Sequence, residues 1–289
     1  MCSFRVVDSV CLQGHHSKAN EDRCGWTGAS AFVVDGATGL GNGFLDSDQG
    51  SDAAWLAEHA RQELASDDAD KRPAADLVRR INHKTAEQVA RHSAPQPPER
   101  WNLPVASFLL VRLEQDALTC HGLGDCVLFL TTADAEPLRH SPMPDNHEDE
   151  MAGARAAIRQ NGGLQPGVSL SDGGTEQARQ RAIRARFNTA GGPLWTLGTS
   201  PEAAEHIDTA FIHDGGAARG IVCTDGFAAL VDRYRRYSIA GLVETAFAKG
   251  LEALGDELRA IENIEDPEGR LYPRMKRSDD ATAVLFEIT

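Results

Sequence analysis

The residues most able to do chemistry are acids that stand beside apolar runs typical of buried strands. These acids are Asp35, Asp125, Asp225, Asp279 and the pair Glu21-Asp22. If the strand ends lie at one edge of a sheet sandwich, the carboxylates converge there without a Lys or Arg beside each. Uncompensated carboxylates repel one another, and a hard divalent cation is their usual partner. One interpretation is therefore a metal site built from oxygen ligands.

Two of these aspartates are followed by glycine, and the Asp-Gly dipeptide has a second interpretation. It is common in the tight turns of β-hairpins. A hairpin needs a second strand directly after the turn, whereas Asp35-Gly36 runs into a glycine-rich loop. Asp225-Gly226 runs into 227–230, which has the pattern of a helix. The pattern alone leaves a turn and a metal ligand both open.

The apolar periodicity predicts the elements that must position these acids. Strands are predicted at 4–10, 31–34, 105–113, 117–123, 126–131, 220–224 and 282–288. Helices are predicted at 53–64, 77–89, 151–160 and within an amphipathic stretch at 239–261. Strand runs separated by blocks of helices favour an α+β layered fold over a doubly wound parallel sheet. We expect the three strands between 105 and 131 to form an antiparallel meander, and a single domain over 1–289 with a surface insertion at about 140–205.

Composition excludes several classes of protein. The 29 Lys and Arg against 43 Asp and Glu give a net charge of −14, which argues against a nucleic-acid partner. No apolar run is long enough to cross a bilayer, and no signal peptide precedes the first acid, so we expect a cytoplasmic protein without a membrane partner. The cysteines have no CxxC pair and no zinc spacing, which predicts free thiols. They are Cys2, Cys11, Cys24, Cys120, Cys126 and Cys223.

Five acid-containing motifs in a fixed order resemble one family. They are Asn20-Glu21-Asp22-Arg23, Val33-Val34-Asp35-Gly36-Ala37-Thr38-Gly39, Gly122-Leu123-Gly124-Asp125-Cys126, Val222-Cys223-Thr224-Asp225-Gly226 and Asp279-Asp280-Ala281-Thr282. This order resembles the metal-dependent PP2C-type (PPM) protein Ser/Thr phosphatases in a bacterial style, from about residue 10 to 288. The resemblance implies an α-β-β-α sandwich of two antiparallel sheets, with a binuclear Mn²⁺ or Mg²⁺ site in a cleft at one edge.

The resemblance also implies roles for single residues. Asp35 would bridge the two metals, and Asp22 with the Gly36 carbonyl would complete the shell of one. Asp225 and Asp279 would hold the other metal. Two further acids have weaker roles: Glu21 would act through a metal-bound water, and Asp125 would join Asp225 around a weaker third ion. Asp22, Asp35, Asp225 and Asp279 are thus the predicted catalytic set, and the insertion at 140–205 corresponds to the family's variable flap.

Two positions depart from the family pattern. Eukaryotic members have at position 37 a histidine that serves as general acid. This chain has Ala37 there, and many bacterial members likewise have alanine. Ser17 stands where many members have a phosphate-binding arginine. Lys18 is then the candidate phosphate ligand, and His15 or His16 the candidate proton donor, although a solvated loop position is the simpler interpretation of either histidine.

The predicted function is hydrolysis of phosphoserine or phosphothreonine by a Mn²⁺- or Mg²⁺-dependent monomer. Oxygen-only ligands select these ions over zinc, and two such ions suit a reaction as slow as phosphate-ester hydrolysis. Two alternatives remain: a catalytically weak regulatory protein and a small-molecule phosphomonoesterase on the same fold. Two bound ions would leave a net charge of about −10 from the −14 of the chain. We therefore expect phosphoprotein substrates with basic residues near the phosphosite.

Overall fold

The computed structural model describes residues 2–45, 48–93, 96–144 and 147–289. Within these ranges the strands form two five-stranded antiparallel sheets. The first sheet consists, in spatial order, of β1 (Phe4–Leu12), β10 (Ala281–Ile288), β9 (Ala218–Cys223), β6 (Val127–Thr132) and β7 (Leu138–His140). The second consists of β2 (Asp22–Trp26), β3 (Ser30–Gly36), β4 (Ala106–Glu114), β5 (Ala117–Leu123) and β8 (Asp208–Asp214). Strands from both ends of the chain therefore share the first sheet.

The two sheets pack face to face, and β3 shows how its sequence achieves this. Ala31 and Val33 point into the core between the sheets, whereas Phe32 and Val34 point to the opposite face, under helices. Because side chains alternate along a strand, Asp35 continues the inward row that starts at Ala31. The core between the sheets thus ends, at this edge, in a carboxylate.

Helices cover the outer faces of both sheets. The second sheet is covered by α1 (Asp52–Leu64) and α2 (Ala74–His92), which bury Leu56, Ala60 and Ile81 among other side chains. The first sheet is covered by α5 (Asp225–Asp232), α6 (Ile239–Lys249) and α7 (Leu251–Ala260). Each helix repeats apolar residues at intervals of three or four, so one face is apolar and packs on a sheet. The predicted α+β sandwich of two antiparallel sheets flanked by helices is confirmed.

The stretch between β7 and β8 contains α3 (His147–Asn161) and α4 (Gly174–Arg184). The predicted helix at 151–160 is confirmed, and it ends at Asn161, where glycines follow. The α4 helix was not predicted. It lies against the loop that follows β3, because Arg181 donates to the Leu40 carbonyl at 2.6 Å and Arg184 donates to the Thr38 carbonyl at 2.7 Å.

The prediction of a three-stranded meander between 105 and 131 is wrong. The first two strands pair as β4 and β5, but β6 belongs to the other sheet, where it pairs with β7 and β9. The chain turns at Gly124, whose φ is +88°, and crosses from one sheet to the other. Leu128 and Phe129 are both fully buried although they face opposite sides of β6, so apolar pattern alone could not assign this strand to a sheet.

Two further findings concern the expected class of protein. All six cysteines are free, as predicted. Among the helices of the described residues, none combines the length and the apolar character that a membrane span requires.

Candidate metal centre

The second sheet brings two predicted ligands together. Asp22 lies directly opposite Asp35 in the antiparallel pairing of β2 with β3. Side chains that face each other in this way have Cβ atoms about 4.5–5.5 Å apart. Strand β2 was not predicted, because its sequence Asp22–Trp26 has neither an apolar run nor alternation, and it is held by pairing with β3. The register therefore places two carboxylates side by side at the edge of the sandwich.

The first sheet delivers two more predicted ligands to the same edge. Asp225 is the first residue of α5, two residues after the end of β9, and Asp279 lies two residues before β10. Thr224 joins the two sheets, because its hydroxyl donates to Asp22 Oδ2 at 2.8 Å and accepts from the Thr282 N–H at 3.0 Å. This single hydroxyl fixes a carboxylate of the second sheet against the strand ends of the first.

Asp280 fastens the loop that carries Glu21 and Asp22, a role the sequence did not reveal. Its two carboxylate oxygens accept the N–H groups of Gly14 and Glu21, each at 2.7 Å. The Asp279-Asp280 dipeptide was the available signal, but only its first residue was assigned a role. The two neighbouring acids therefore have different roles. Asp279 faces the other carboxylates, whereas Asp280 accepts hydrogen bonds from backbone N–H groups.

The glycines of the two Asp-Gly pairs are required by close packing. A Cβ on Gly36 would lie 2.6 Å from the Glu21 carbonyl oxygen, and one on Gly226 would lie 2.0 Å from the Asp280 carbonyl oxygen. Neither glycine is among the described residues with positive φ, and neither Asp-Gly pair leads into a second strand of a hairpin. The hairpin interpretation is therefore wrong for both pairs, whose glycines allow acid-bearing segments to approach one another.

Five acids form what we call the carboxylate cluster. They are Asp22, Asp35, Asp125, Asp225 and Asp279. Loss of contact with water raises the pKa of Asp35, and the charges of Asp22, Asp225, Asp125 and Asp279 raise it further. The same two causes raise the pKa of Asp225 to about 7, with Asp279 and Asp125 as its charged neighbours. Each of these acids is thus close enough to its neighbours to disfavour their ionised forms.

The members of the carboxylate cluster differ in their access to solvent. Asp22 is only 1% exposed, whereas Asp35, Asp225 and Asp279 are partly exposed and Asp125 is exposed. The cluster is therefore buried at Asp22 and open to solvent at Asp125, where an ion or a substrate could enter.

Glu21 is held beside the cluster by hydroxyl groups. Ser51 donates to one of its carboxylate oxygens and Thr38 donates to the other, each at 2.6 Å. Burial raises the pKa of Glu21, and these two hydrogen bonds act in the opposite direction. Ser51 also caps α1 by accepting the Ala54 N–H at 3.0 Å. Sequence reasoning missed both hydroxyls, since partners that are 17 and 30 residues away leave no local pattern.

The basic residues near the site are not those expected from the sequence. Lys18 is exposed and forms no ion pair within the part of the chain that the structure describes. His15 contacts Ser17 at 2.9 Å and lies against the His16 ring. No described hydrogen bond or ion pair joins these residues to the carboxylate cluster. Instead, the ammonium of Lys276 forms an ion pair with Asp279 Oδ1.

The donor set fits a hard divalent cation by its chemistry. It contains carboxylate oxygens and no sulfur or imidazole, which favours Mg²⁺ or Mn²⁺. As the side chains stand, no three acids, histidines or cysteines of the described residues are arranged to hold a metal ion. Ion binding by these acids would therefore require their side chains to rearrange.

A separate cavity of about 500 Å³ lies at the start of α2, lined by Asp70, Arg112 and His121 among others. No member of the carboxylate cluster lines it. The convergent acids and this cavity are thus different places in the molecule.

Comparison with solved structures identifies the fold. The catalytic domain of the serine/threonine protein phosphatase PstP, in complex with two manganese ions, has a TM-score of 0.55 at 15% identity, with both chains fully covered. The Mycobacterium tuberculosis phosphatase PstP/Ppp has a TM-score of 0.53 at 17% identity, with 98% of each chain covered. The PPM Ser-Thr phosphatase MsPP from Mycobacterium smegmatis, in complex with cacodylate, has a TM-score of 0.51 at 17% identity and the same coverage.

These neighbours are PP2C-type (PPM) Ser/Thr phosphatases, and the chain has their fold over its whole length. No protein-family model and no curated protein sequence matches the chain. The fold thus agrees with the resemblance seen in the motifs. Sequence identities of 15–17% support a shared fold and no more.

Proposed function

We propose that this chain is a Mn²⁺- or Mg²⁺-dependent phosphatase that hydrolyses phosphoserine or phosphothreonine in proteins. The observation that carries the proposal is the convergence of the carboxylate cluster at one edge of a PP2C-type sandwich. In this proposal one domain over 1–289 acts as a monomer.

In the proposed site, Asp22, Asp35 and the Gly36 carbonyl would hold one ion, and Asp225 and Asp279, together with Asp35, would hold the other. Asp125 would contribute to a weaker third ion. When bound, two such ions would lower the pKa of water and offset negative charge on the phosphoryl oxygens.

The remaining steps belong to the chain's own residues. Thr224 orients Asp22 through its hydroxyl, so that the carboxylate meets Asp35 in one geometry. Thr38 and Ser51 orient Glu21, whose carboxylate can position a water beside the ions. Hydroxyl donors orient these carboxylates without cancelling their charge, which leaves that charge available to cations.

The substrate is proposed to be a phosphoprotein with basic residues near the phosphosite. The chain carries a net charge of −14, and a phosphate group that approaches it meets long-range repulsion. Basic residues beside the phosphate would offset that repulsion.

Turnover of an aryl phosphate with Mn²⁺ tests the proposal. We expect hydrolysis that stops in excess EDTA and is abolished in Asp35→Asn and Asp225→Asn. Asp76→Asn is the matched control, because Asp76 is a half-exposed surface acid paired with Arg79, and it should keep full activity. Activity that survives EDTA and both cluster substitutions would overturn the metal mechanism. Metal binding without turnover on any phosphopeptide would favour the regulatory alternative instead.

A further inference from the structure

Lys276 lies at the site, although the sequence analysis did not place it there. It lies three residues before Asp279, on the segment that leads into β10, and its ammonium contacts Asp279 Oδ1. The same oxygen accepts the Asp280 N–H at 2.8 Å. One oxygen of a proposed metal ligand is therefore already committed to a positive charge and a backbone donor.

The charge of Lys276 reaches beyond this one contact. Partial removal from water opposes ionisation of its ammonium, but Asp279, Asp225 and Asp35 raise its pKa above the ordinary lysine value. Burial raises the pKa of Glu21, and Lys276 offsets part of that rise. These acids come from β3, the start of α5, and the segments before β2 and β10. Lys276 thus faces the region where all of them converge.

The contact is open to exchange. The side chain of Lys276 is 40% exposed and that of Asp279 is 32% exposed. Ion pairs with this much access to water contribute little net free energy, because solvation competes with the partner. The Lys276 side chain is also long and flexible, so its ammonium can leave Asp279 without movement of the backbone.

We propose that Lys276 is the chain's own competitor for the divalent cation, and that metal binding requires its ammonium to leave Asp279. This inference rests on the proposed metal centre. An ammonium and a divalent ion on one carboxylate would stand about 4 Å apart, where like charges repel strongly in a partly desolvated site. Metal occupancy would then depend on a free-ion concentration higher than the acids alone would need.

Mn²⁺ titration by calorimetry tests the competition with three variants. Lys276→Met removes the charge, Lys276→Arg keeps it, and Lys84→Met removes one charge from a remote pair with Glu63. We expect Lys276→Met to bind Mn²⁺ about tenfold more tightly than the wild type, because a neighbouring charge changes such equilibria by one or more powers of ten. Lys276→Arg should bind no more tightly than the wild type, and Lys84→Met should match it. Binding by Lys276→Met that equals or falls below the wild type would overturn the proposal.

A second measurement uses the unmodified chain, in case Lys276→Met does not fold. Mg²⁺ is titrated into protein with ¹³C-labelled lysine side chains, and the Lys276 resonance is identified by its loss in Lys276→Arg. The resonance should shift in step with Mg²⁺ binding as the ammonium leaves Asp279. A resonance that stays fixed while the ion binds would contradict the displacement.

These outcomes separate this inference from the proposed function. Phosphatase activity together with equal Mn²⁺ affinity in wild type and Lys276→Met would sink the competition and leave the function standing. Tighter Mn²⁺ binding by Lys276→Met, with no turnover of any substrate by the wild type, would support the competition and overturn the proposed function. A wild type and variants that all bind no Mn²⁺ would overturn both.

Discussion

Two groups of acids in this chain have their charge balanced in different ways. In the segment that follows α7, Asp266 and Glu262 are 4% and 3% exposed and are paired with guanidinium groups. Arg274 donates to Asp266 at 3.0 Å, and Arg259 donates to Glu262 at 2.6 Å. We call these four residues the acid–arginine network. In the carboxylate cluster, no guanidinium of the described residues forms an ion pair with an acid, and Lys276 is the basic residue that pairs there.

The contrast separates acids that hold the fold from acids that are available for chemistry. Asp266 also accepts the N–H groups of residues 270, 271 and 272, so its charge is fully used inside the chain. Asp22 accepts a hydrogen bond from the Thr224 hydroxyl. Glu21 accepts hydrogen bonds from the hydroxyls of Thr38 and Ser51. Hydroxyl donors fix the direction of a carboxylate and leave its charge in place. The cluster therefore keeps negative charge that no guanidinium among the described residues pairs with, as the proposed cation site requires.

The largest expected effect comes from neutralising one acid of the cluster. Asp225→Asn should lower kcat on an aryl phosphate by about 10³-fold or more, since in the proposed mechanism this acid holds an ion that stabilises charge in the transition state. Its stability in EDTA should not fall, because one of several mutually repelling charges is removed. Steady-state kinetics and thermal unfolding measure the two quantities. Retained activity, or clear destabilisation in EDTA, would mean that Asp225 has the structural role of Asp266.

The same substitution in the acid–arginine network should have the opposite result. Asp266→Asn leaves Arg274 buried without its charged partner, which should lower the free energy of unfolding by about 3 kcal/mol. Activity per folded molecule should persist at a temperature where the variant is folded. Urea unfolding measures the loss, with Asp76→Asn as the control at a half-exposed ion pair. A stable but inactive variant would remove the distinction between the two groups of acids.

A smaller effect concerns pH. The pKa of Asp225 is raised from 3.8 to about 7 in the folded chain, so the folded state binds more protons than the unfolded state between these values. Stability without metal should therefore fall as pH rises through that window. The midpoint of thermal unfolding in EDTA should drop by about 3 °C or more between about pH 5 and about pH 8. The drop should be smaller in Asp225→Asn and should be offset by Mn²⁺, which binds the folded state. An identical pH profile in wild type and variant would exclude Asp225 as the source.

The smallest effect concerns the substrate. If the acids outside the site set the approach of substrate, a phosphopeptide with flanking Lys and Arg should have a kcat/KM up to about tenfold above its acidic counterpart at low salt. Physiological salt should narrow the difference, because it screens charges beyond about 8 Å. Equal values at low salt would show that the site, and not the surface, controls the encounter.

The sequence predicted the layers of the fold because its strands and helices are strongly patterned. The sequence did not predict strands that form because they pair with a neighbouring strand, and not because of their own apolar pattern. Strand β2 is polar and exists because it pairs with β3, and β8 alternates between exposed and half-buried positions at a sheet edge. Strand β6 is apolar on both faces, so nothing local assigned it to the first sheet.

The candidate site was predictable to the extent that its residues lie next to strands. Asp35, Asp225 and Asp279 stand beside apolar runs, and the register of β2 brings Asp22 to them. Thr38, Ser51 and Asp280 act on Glu21 across gaps in the chain that no periodicity spans. Lys276 sits in a basic stretch, 274–277, that has the composition of a solvated segment.

The most direct test of the central claim is the anomalous scattering of manganese in crystals of the wild-type chain grown with Mn²⁺. We expect two strong peaks within the carboxylate cluster, bound by Asp22, Asp35, Asp225 and Asp279, with the Lys276 ammonium moved away from Asp279. Crystals in millimolar Mn²⁺ that show no peak at this edge, with Lys276 still paired to Asp279, would contradict the account.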